Sequence, residues 1–81
     1  MKNETYAILN ETPDGTLHEK HFKTKEEAIQ EARWDWNKYL TKEEKRKMRY
    51  YAVVKGELDE TGYMDFDGVT EVIIVFKSYE N

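Results

Sequence analysis

The sequence contains no cysteine, one proline and four glycines in 81 residues. Without cysteine the chain can form neither a disulfide scaffold nor a zinc–thiolate, iron–sulfur or thiol-nucleophile site. Because small secreted domains usually depend on disulfides, this absence favours a cytoplasmic location. The four glycines are scattered along the chain, which excludes a glycine-rich phosphate loop.

Aliphatic residues are also scarce. Leu, Ile, Val and Phe make up 16 of the 81 residues. This fraction is close to the one fifth of the composition below which chains tend to stay disordered. The longest apolar run, residues 72–76, is far short of the roughly 20 residues that a membrane span needs. The N-terminal residues lack the apolar segment of a signal peptide. We therefore expect a cytoplasmic protein with no membrane segment.

The sequence is rich in aromatic and charged residues. Eleven side chains are Phe, Tyr or Trp, and each can bury roughly 150–250 Å². This aromatic content compensates for the few aliphatic residues and predicts a single folded domain over residues 1–81. The net charge is −4 and the pI is about 5.2. Such an acidic balance argues against a protein that binds duplex nucleic acid through widespread positive charge.

The order of sequence patterns predicts an α+β fold of the type ββα(α)ββ. Strand-forming residues occupy 5–10, 16–22, 49–57 and 70–78, and Pro13-Asp14-Gly15 predicts a turn between the first two. The polar second strand is typical of a sheet edge. The fourth strand has apolar residues at both its even and its odd positions, which indicates a central strand or one covered on both faces. We expect a four-stranded antiparallel sheet with one main helix packed on one face.

Two capping boxes delimit the helical region. Thr24 with Glu27 predicts a helix that begins at Lys25, and Thr41 with Glu44 predicts a second, short helix over 42–48. The apolar stripe of the first helix extends its predicted range to 25–40. The members of this predicted core stripe are Ala28, Ile29, Ala32, Trp36, Tyr39 and Leu40.

Trp34 does not fit this stripe, because its helical phase is about 160° from that of Trp36. Two interpretations stay open at this point. Trp34 is exposed and anchors an interface, in which tryptophan is enriched, with Arg33 beside it at the margin of the stripe. Alternatively, the short second helix or the alkyl chain of Lys38 covers the indole ring.

The sheet raises a similar question, because both parities of its strands are apolar or aromatic. One helix covers only one face of a four-stranded sheet. A bare second face would expose several hundred Å² of apolar surface, which monomers rarely do. Face-to-face or edge-to-edge homodimerisation is one resolution, and cover by a loop or by Tyr79 near the C-terminus is the other.

Charge is segregated along the chain. Seven bases and two acids lie within 38–55, whereas six acids and no base lie within 57–71. Such asymmetry bears on partners rather than on fold. The residues that we predict to contact a partner come from the first helix, the basic segment and the acidic loop. They are Arg33, Trp34, Lys45, Arg46, Lys47, Arg49, Asp65, Phe66 and Asp67.

No constellation in the sequence predicts catalysis or a cofactor. His18 and His21 are three residues apart on a predicted strand, so we expect them on opposite faces and without a shared metal. The Asp65–Gly68 stretch is similar to part of a calcium loop but lacks the acids that the template requires. Glu27 and Glu31 are expected to be ordinary surface residues. We expect no catalytic residue, no metal and no cofactor.

A resemblance covers residues 5–57. The stretches 22–29, 34–36, 40–45 and 53–57 resemble small uncharacterised proteins of Gram-positive bacteria and their mobile elements. That resemblance implies a stand-alone domain without an assigned activity.

Together these observations predict a small cytoplasmic protein-interaction module without catalytic activity. We expect a homodimer that serves as an accessory or inhibitory protein for a larger protein partner. The alternative is an RNA- or single-strand nucleic-acid-binding module that uses the basic segment 42–49 and exposed aromatic residues.

Overall fold

The computed structural model confirms the α+β class, with a four-stranded antiparallel sheet and one main helix. It describes residues 4–12, 15–64 and 66–78, and side chains at 15–20 and 66 lie outside the description. The strand order in the sheet is β2-β1-β3-β4. The elements are β1 (Glu4–Thr12), β2 (Gly15–Phe22), α1 (Lys25–Trp34), a π-helical turn (Asp35–Tyr39), α2 (Lys42–Lys47), β3 (Tyr50–Glu57), a 3₁₀ turn (Phe66–Gly68) and β4 (Val69–Lys77).

Both helices begin where the threonine caps predicted. The backbone N–H of Glu27 donates to Thr24 Oγ1 at 3.2 Å. The Thr41 cap is a complete capping box, because the Glu44 N–H donates to Thr41 Oγ1 at 3.1 Å and the Thr41 N–H donates to Glu44 Oε1 at 3.0 Å. These bonds satisfy backbone donors that the first helical turn leaves without partners. The turn predicted at Pro13-Asp14 lies outside the described residues.

The predicted single helix over 25–40 changes geometry at Trp34. Beyond it the chain forms a π-helical turn, closed by a hydrogen bond of 2.7 Å from the Leu40 N–H to the Asp35 carbonyl. A π turn contains one more residue than an α turn, so the helical phase shifts. Tyr39 is consequently 67% exposed, and its predicted place in the core is wrong.

The main core lies between α1 and the first face of the sheet. Ala28 and Ala32 of α1 are buried against Ile8, Tyr51 and Val53. At one end, an aromatic cluster is formed by Trp36, Tyr51 and Phe76. The ring centroids of Trp36 are 5.3 Å from Tyr51 and 5.7 Å from Phe76. The predicted core role of Trp36 is therefore confirmed.

Strand β4 is an edge strand, so its predicted central position is wrong. Three register shifts interrupt its pairing with β3. Because a bulge breaks the alternation of side chains, Ile73 and Ile74 both pack on the main core, whereas Val72 and Val75 are 48% and 46% exposed. Bulges rather than a central location account for apolar residues at both parities. The predicted edge position of β2 is correct.

A loop covers the two central strands on the second face of the sheet, which is one of the two resolutions left open by the sequence. Ala7, Leu9, Ala52 and Val54 are fully buried there, and Met64 from the β3–β4 loop packs on them with 3% exposure. Leu58 from the same loop also contacts this cluster. The loop thus supplies a second small core over β1 and β3. Val72 and Val75 of β4, which pair with Val54 and Ala52, remain 48% and 46% exposed.

Two glycines allow the loop to close against β3. A Cβ at Gly56 would collide with the carbonyl oxygen of Gly68, and one at Gly68 would lie 2.5 Å from the carbonyl oxygen of Glu57. A side chain at either position would push the loop away from the strand. In the part of the chain that the structure describes, no helix is long and apolar enough to cross a membrane.

Candidate interaction site

The π-helical turn brings two exposed aromatic rings together. Trp34 is 53% and Tyr39 67% exposed. Their ring centroids are 5.9 Å apart with an interplanar angle of 25°, so the rings are stacked. Residues five apart lie on different faces of an α-helix but share a face in a π turn. The backbone geometry therefore creates the stack.

The structure bears on the exposure of Trp34, which is 53% exposed. Helix α2 packs over Trp36 instead, because Lys45 Nζ lies 4.9 Å from the centroid of the Trp36 ring. Tyr39 is the ring that stacks on Trp34, and the pair remains largely open to solvent. Exposed large rings in such a pair are uncommon away from contact surfaces. Whether Trp34 binds a partner stays a prediction.

An open groove of about 540 Å³ lies beside the exposed pair. One wall is Phe22 at the end of β2, and the other is a ridge of α1 that ends at Trp34. The remaining lining residues are Glu27, Gln30 and Glu31. Spacings of three and four residues place this ridge along one helical face. Among the side chains that the structure describes, the lining thus has an aromatic ring at either end and two carboxylates between them. The side chains of β2 before His21, next to Phe22, lie outside the description.

Sequence patterns did not reveal this groove. The sequence predicts Glu27 and Glu31 only as ordinary surface residues, and Phe22 lies on a different element. The position of Tyr39 depends on the π turn, for which the sequence shows no recognised signal. Arg33, predicted beside Trp34, is exposed on α1 but does not line the groove.

The predicted basic segment lies on and after α2. Arg46, Lys47 and Arg49 are exposed, whereas Lys45 is partly buried over Trp36. Lys47 Nζ lies 3.8 Å from Glu43 Oε1, an exposed pair of small energetic value. The Lys77 ammonium donates to the Arg46 carbonyl at 3.2 Å and also to the Lys45 carbonyl. The charge of Lys77, which lies on β4 and outside the basic segment, therefore stabilises the contact between the end of α2 and β4.

The aromatic residues of the sheet do not form an open stacking surface next to this basic segment. Tyr51 is 1% exposed beneath Trp36, and Tyr6 and Tyr50 are partly buried. Burial raises the pKa of Tyr50. Single-strand-binding platforms need ring faces that are open to the bases. Among described residues, the large exposed aromatic side chains are Trp34, Tyr39 and Tyr63.

The acidic loop is organised by Asp59. Its carboxylate accepts hydrogen bonds from the Thr61 hydroxyl at 2.6 Å, the Thr61 N–H at 2.9 Å and the Tyr63 N–H at 3.0 Å. These bonds, the Thr61 side chain first, lower the pKa of Asp59 below 3.8. Asp67 is exposed. The predicted contacts of Asp65 and of the Phe66 side chain lie outside the described residues.

A register shift in the β1–β2 pairing affects the two histidine positions. His21 lies opposite Ala7 and His18 opposite Leu9 in the backbone register. The side chain of His18 lies outside the description, so the expected opposite faces stay a prediction. Within the described residues, His, Asp and Glu form no group of three able to hold a metal ion.

Comparisons with protein-family models, curated proteins and solved structures found no match to this chain. The proposed function therefore rests on the local geometry of the exposed Trp34–Tyr39 pair.

Proposed function

We propose that this protein is a protein-interaction module whose contact surface is centred on Trp34 and Tyr39. The stacked, solvent-open pair is the observation that supports this function. Tryptophan and tyrosine are enriched among interface residues that contribute most to binding. Stacking reduces the freedom of both rings before any partner arrives, so less conformational entropy is lost on binding.

The remaining features of this proposal come from the sequence. They are a cytoplasmic location, an accessory or inhibitory role without catalysis, and an origin among small proteins of Gram-positive bacteria and their mobile elements. The absence of cysteine favours the cytoplasm.

Site-specific photo-crosslinking in the host cell tests the contact surface. A benzophenone amino acid placed at position 34 should form an adduct of one discrete mass with a protein, because the partner lies against this ring. The same probe at Tyr63, which is 60% exposed on the acidic loop, is the matched control. Absence of a discrete adduct at 34, or the same adducts at both positions, would contradict the proposal.

Substitution of the two tryptophans separates binding from stability. We expect Trp34→Ala to lower the free energy of unfolding by less than about 1 kcal/mol, because the ring is largely exposed. Trp36→Ala should cost about 3 kcal/mol, because that ring packs on Tyr51 and Phe76. Urea unfolding measures both values. Equal losses would show that Trp34 is a structural residue rather than an anchor.

A homodimer stays a prediction, with face-to-face and edge-to-edge pairing both open. The loop covers β1 and β3 on the second face of the sheet, but Val72 and Val75 of the edge strand β4 are exposed. The three register shifts of β4 act against strand addition at this edge. Light scattering at high micromolar concentration tests the dimer. A mass of 9.7 kDa would contradict it.

A further inference from the structure

Strand β4 carries a row of valines on the second face of the sheet. Val69 packs on the second small core, whereas Val72 and Val75 are 48% and 46% exposed. The exposed pair lies beside Val54 and Ala52, which belong to that core. β4 is also an edge strand. An edge strand with exposed apolar side chains is a template for the pairing of a further strand.

The faces of β4 follow a symmetrical order in the middle of the strand. Val72 and Val75 lie on the second face, and Ile73 and Ile74 between them both pack on the main core. This order of faces is the same when the strand is read in either direction. In a regular strand the four residues would alternate between the two faces, and the reversed order would differ. The register shift between β3 and β4 at this point produces the symmetry.

We propose that a second copy of this chain pairs with this edge, antiparallel and about a two-fold axis between Ile73 and Ile74. The inference rests on the homodimer of the proposed function and specifies its contact surface. Val72 of each copy then lies opposite Val75 of the other, so that each face meets the same face. A shift of the register by one residue would set a valine of the second face opposite an isoleucine of the first.

The extra residue that creates the register shift favours a copy of β4 over an ordinary strand. Between Val72 and Val75, β4 has two residues, whereas β3 has one between Ala52 and Val54. A regular strand at the outer edge would lose its register at this point, because it also has one residue here. In the symmetric pair both strands have two residues, so the register continues on either side.

Charge favours the antiparallel orientation. β4 has one acid, Glu71 near its start, and one base, Lys77 at its end. Lys77 keeps its positive charge, because its hydrogen-bond acceptors on α2 are neutral carbonyl groups. Antiparallel pairing places Glu71 of each copy opposite Phe76 and beside Lys77 of the other, whereas a parallel pair in register would bring like charges together.

Disulfide trapping tests this register, and the chain has no cysteine of its own to interfere. A Val72→Cys variant and a ¹⁵N-labelled Val75→Cys variant are mixed at high micromolar concentration in a glutathione buffer, and mass spectrometry identifies the dimers. We expect mixed dimers, because opposite residues of an antiparallel pair have Cα atoms about 4.5–5.5 Å apart, within disulfide range. Two chains of the same variant place the substituted positions roughly 10 Å apart, outside that range.

The proportion of mixed dimers decides the outcome. Random collision makes about half of all dimers mixed, whereas the proposed register makes about nine tenths of them mixed. Tyr63→Cys, on the exposed loop, is the matched control, and with ¹⁵N-labelled Val75→Cys it should give the random proportion. A random proportion for the Val72→Cys and Val75→Cys mixture, or an excess of dimers of one variant, would overturn the proposal.

Charged substitutions supply the second arm. A chain with Val72→Lys and Val75→Lys and a chain with Val72→Glu and Val75→Glu should each be monomeric by light scattering, because like charges then meet at both paired positions. A mixture of the two chains should regain the dimer mass. Urea unfolding verifies that each variant is folded, and disulfide trapping tests the register independently. A dimer of either charged chain by itself would contradict the pairing of these positions.

The outcomes distinguish this inference from the proposed function. If the unaltered protein is dimeric but the disulfides show no preference, the homodimer stands and the β4 register is wrong. If the protein is monomeric and no disulfide forms, both fail, while a crosslink at position 34 still supports the contact surface of Trp34 and Tyr39. If the thiols at positions 72 and 75 of a monomer resist labelling, another part of the chain covers the valines, and the inference fails.

Discussion

At the scale of single residues, Asp59 and Gly62 determine the conformation of the acidic loop. Asp59 gathers two backbone N–H groups and one hydroxyl into one turn, and Gly62 follows with a positive φ of 88°, which residues other than glycine seldom adopt. The Asp59 carboxylate therefore stabilises the turn after which the chain returns to the sheet, where Met64 packs.

The hydrogen bonds of Asp59 predict a dependence of stability on pH. Its pKa is lower in the folded than in the unfolded chain, so the unfolded state binds the proton more readily. The resulting stabilisation is complete above the unfolded pKa, near 3.8, and is lost as the pH falls through the folded pKa. Asp59→Asn should thus reduce stability at neutral pH, and the difference from the unaltered protein should vanish in acid.

Urea unfolding between pH 2 and pH 7 measures this difference. Asp67→Asn controls for the loss of one loop charge, because Asp67 is exposed on the same loop. A constant difference between the Asp59→Asn variant and the unaltered protein across this pH range would show that the carboxylate charge is not what stabilises the turn.

At the scale of elements, the π-helical turn is the feature that distinguishes this helix. The turn holds Trp36 against the core and Tyr39 against Trp34 at the same time. An uninterrupted α-helix would place Tyr39 about 140° away from Trp34 around the axis. The π turn therefore accommodates one residue more than the α-helical spacing while it keeps both the exposed stack and the core contact.

Deletion of Asn37, an exposed residue of this turn, tests that interpretation. Tyr39 then follows Trp34 by four positions, which is the α-helical spacing for side chains on one face. We expect a regular α-helix, a retained ring stack and a free energy of unfolding within about 0.5 kcal/mol of the starting protein. Ring-to-ring nuclear Overhauser effects and urea unfolding measure these properties.

Asn37→Ala keeps the length of the turn and is the control for the lost side chain. Loss of the Trp34–Tyr39 contact on deletion, together with a fall in stability as large as that of Trp36→Ala, would contradict the interpretation of Asn37 as an inserted residue.

At the scale of the whole molecule, two small cores share one sheet. Helix α1 covers one face, and the loop between β3 and β4 covers the other through Leu58 and Met64. This arrangement explains how a chain with few aliphatic residues buries both faces of its central strands β1 and β3. The aromatic cluster of Trp36, Tyr51 and Phe76 supplies much of the first core.

Met64→Ala tests the role of the loop. Met64 is 3% exposed, so its truncation should lower the free energy of unfolding by about 2 kcal/mol or more. It also uncovers Ala7, Leu9, Ala52 and Val54, and we expect the folded variant to self-associate more strongly with concentration. Urea unfolding and sedimentation velocity measure the two effects.

Tyr63→Ala removes the neighbouring, largely exposed ring and should change stability by less than about 0.5 kcal/mol. Unchanged stability in Met64→Ala would show that the loop lies on the sheet without stabilising it.

The sequence by itself determined the elements and their order, because those depend on local chemistry. Thr24 and Thr41 locate the helix starts through hydrogen bonds within one turn, and strand propensity locates the four strands. The core role of Trp36 followed from the helical periodicity of apolar residues. These signals act over a few residues and can be read without a tertiary structure.

Only the tertiary structure decided the site. The π turn moves Tyr39 from the predicted core to the surface, and three bulges make an edge strand of β4 look central. The π turn and the bulges both depend on how side chains pack in the folded chain. No local sequence pattern specifies that packing. The groove joins Phe22 of β2 to residues of α1, and such a meeting of separate elements arises only when the chain is folded.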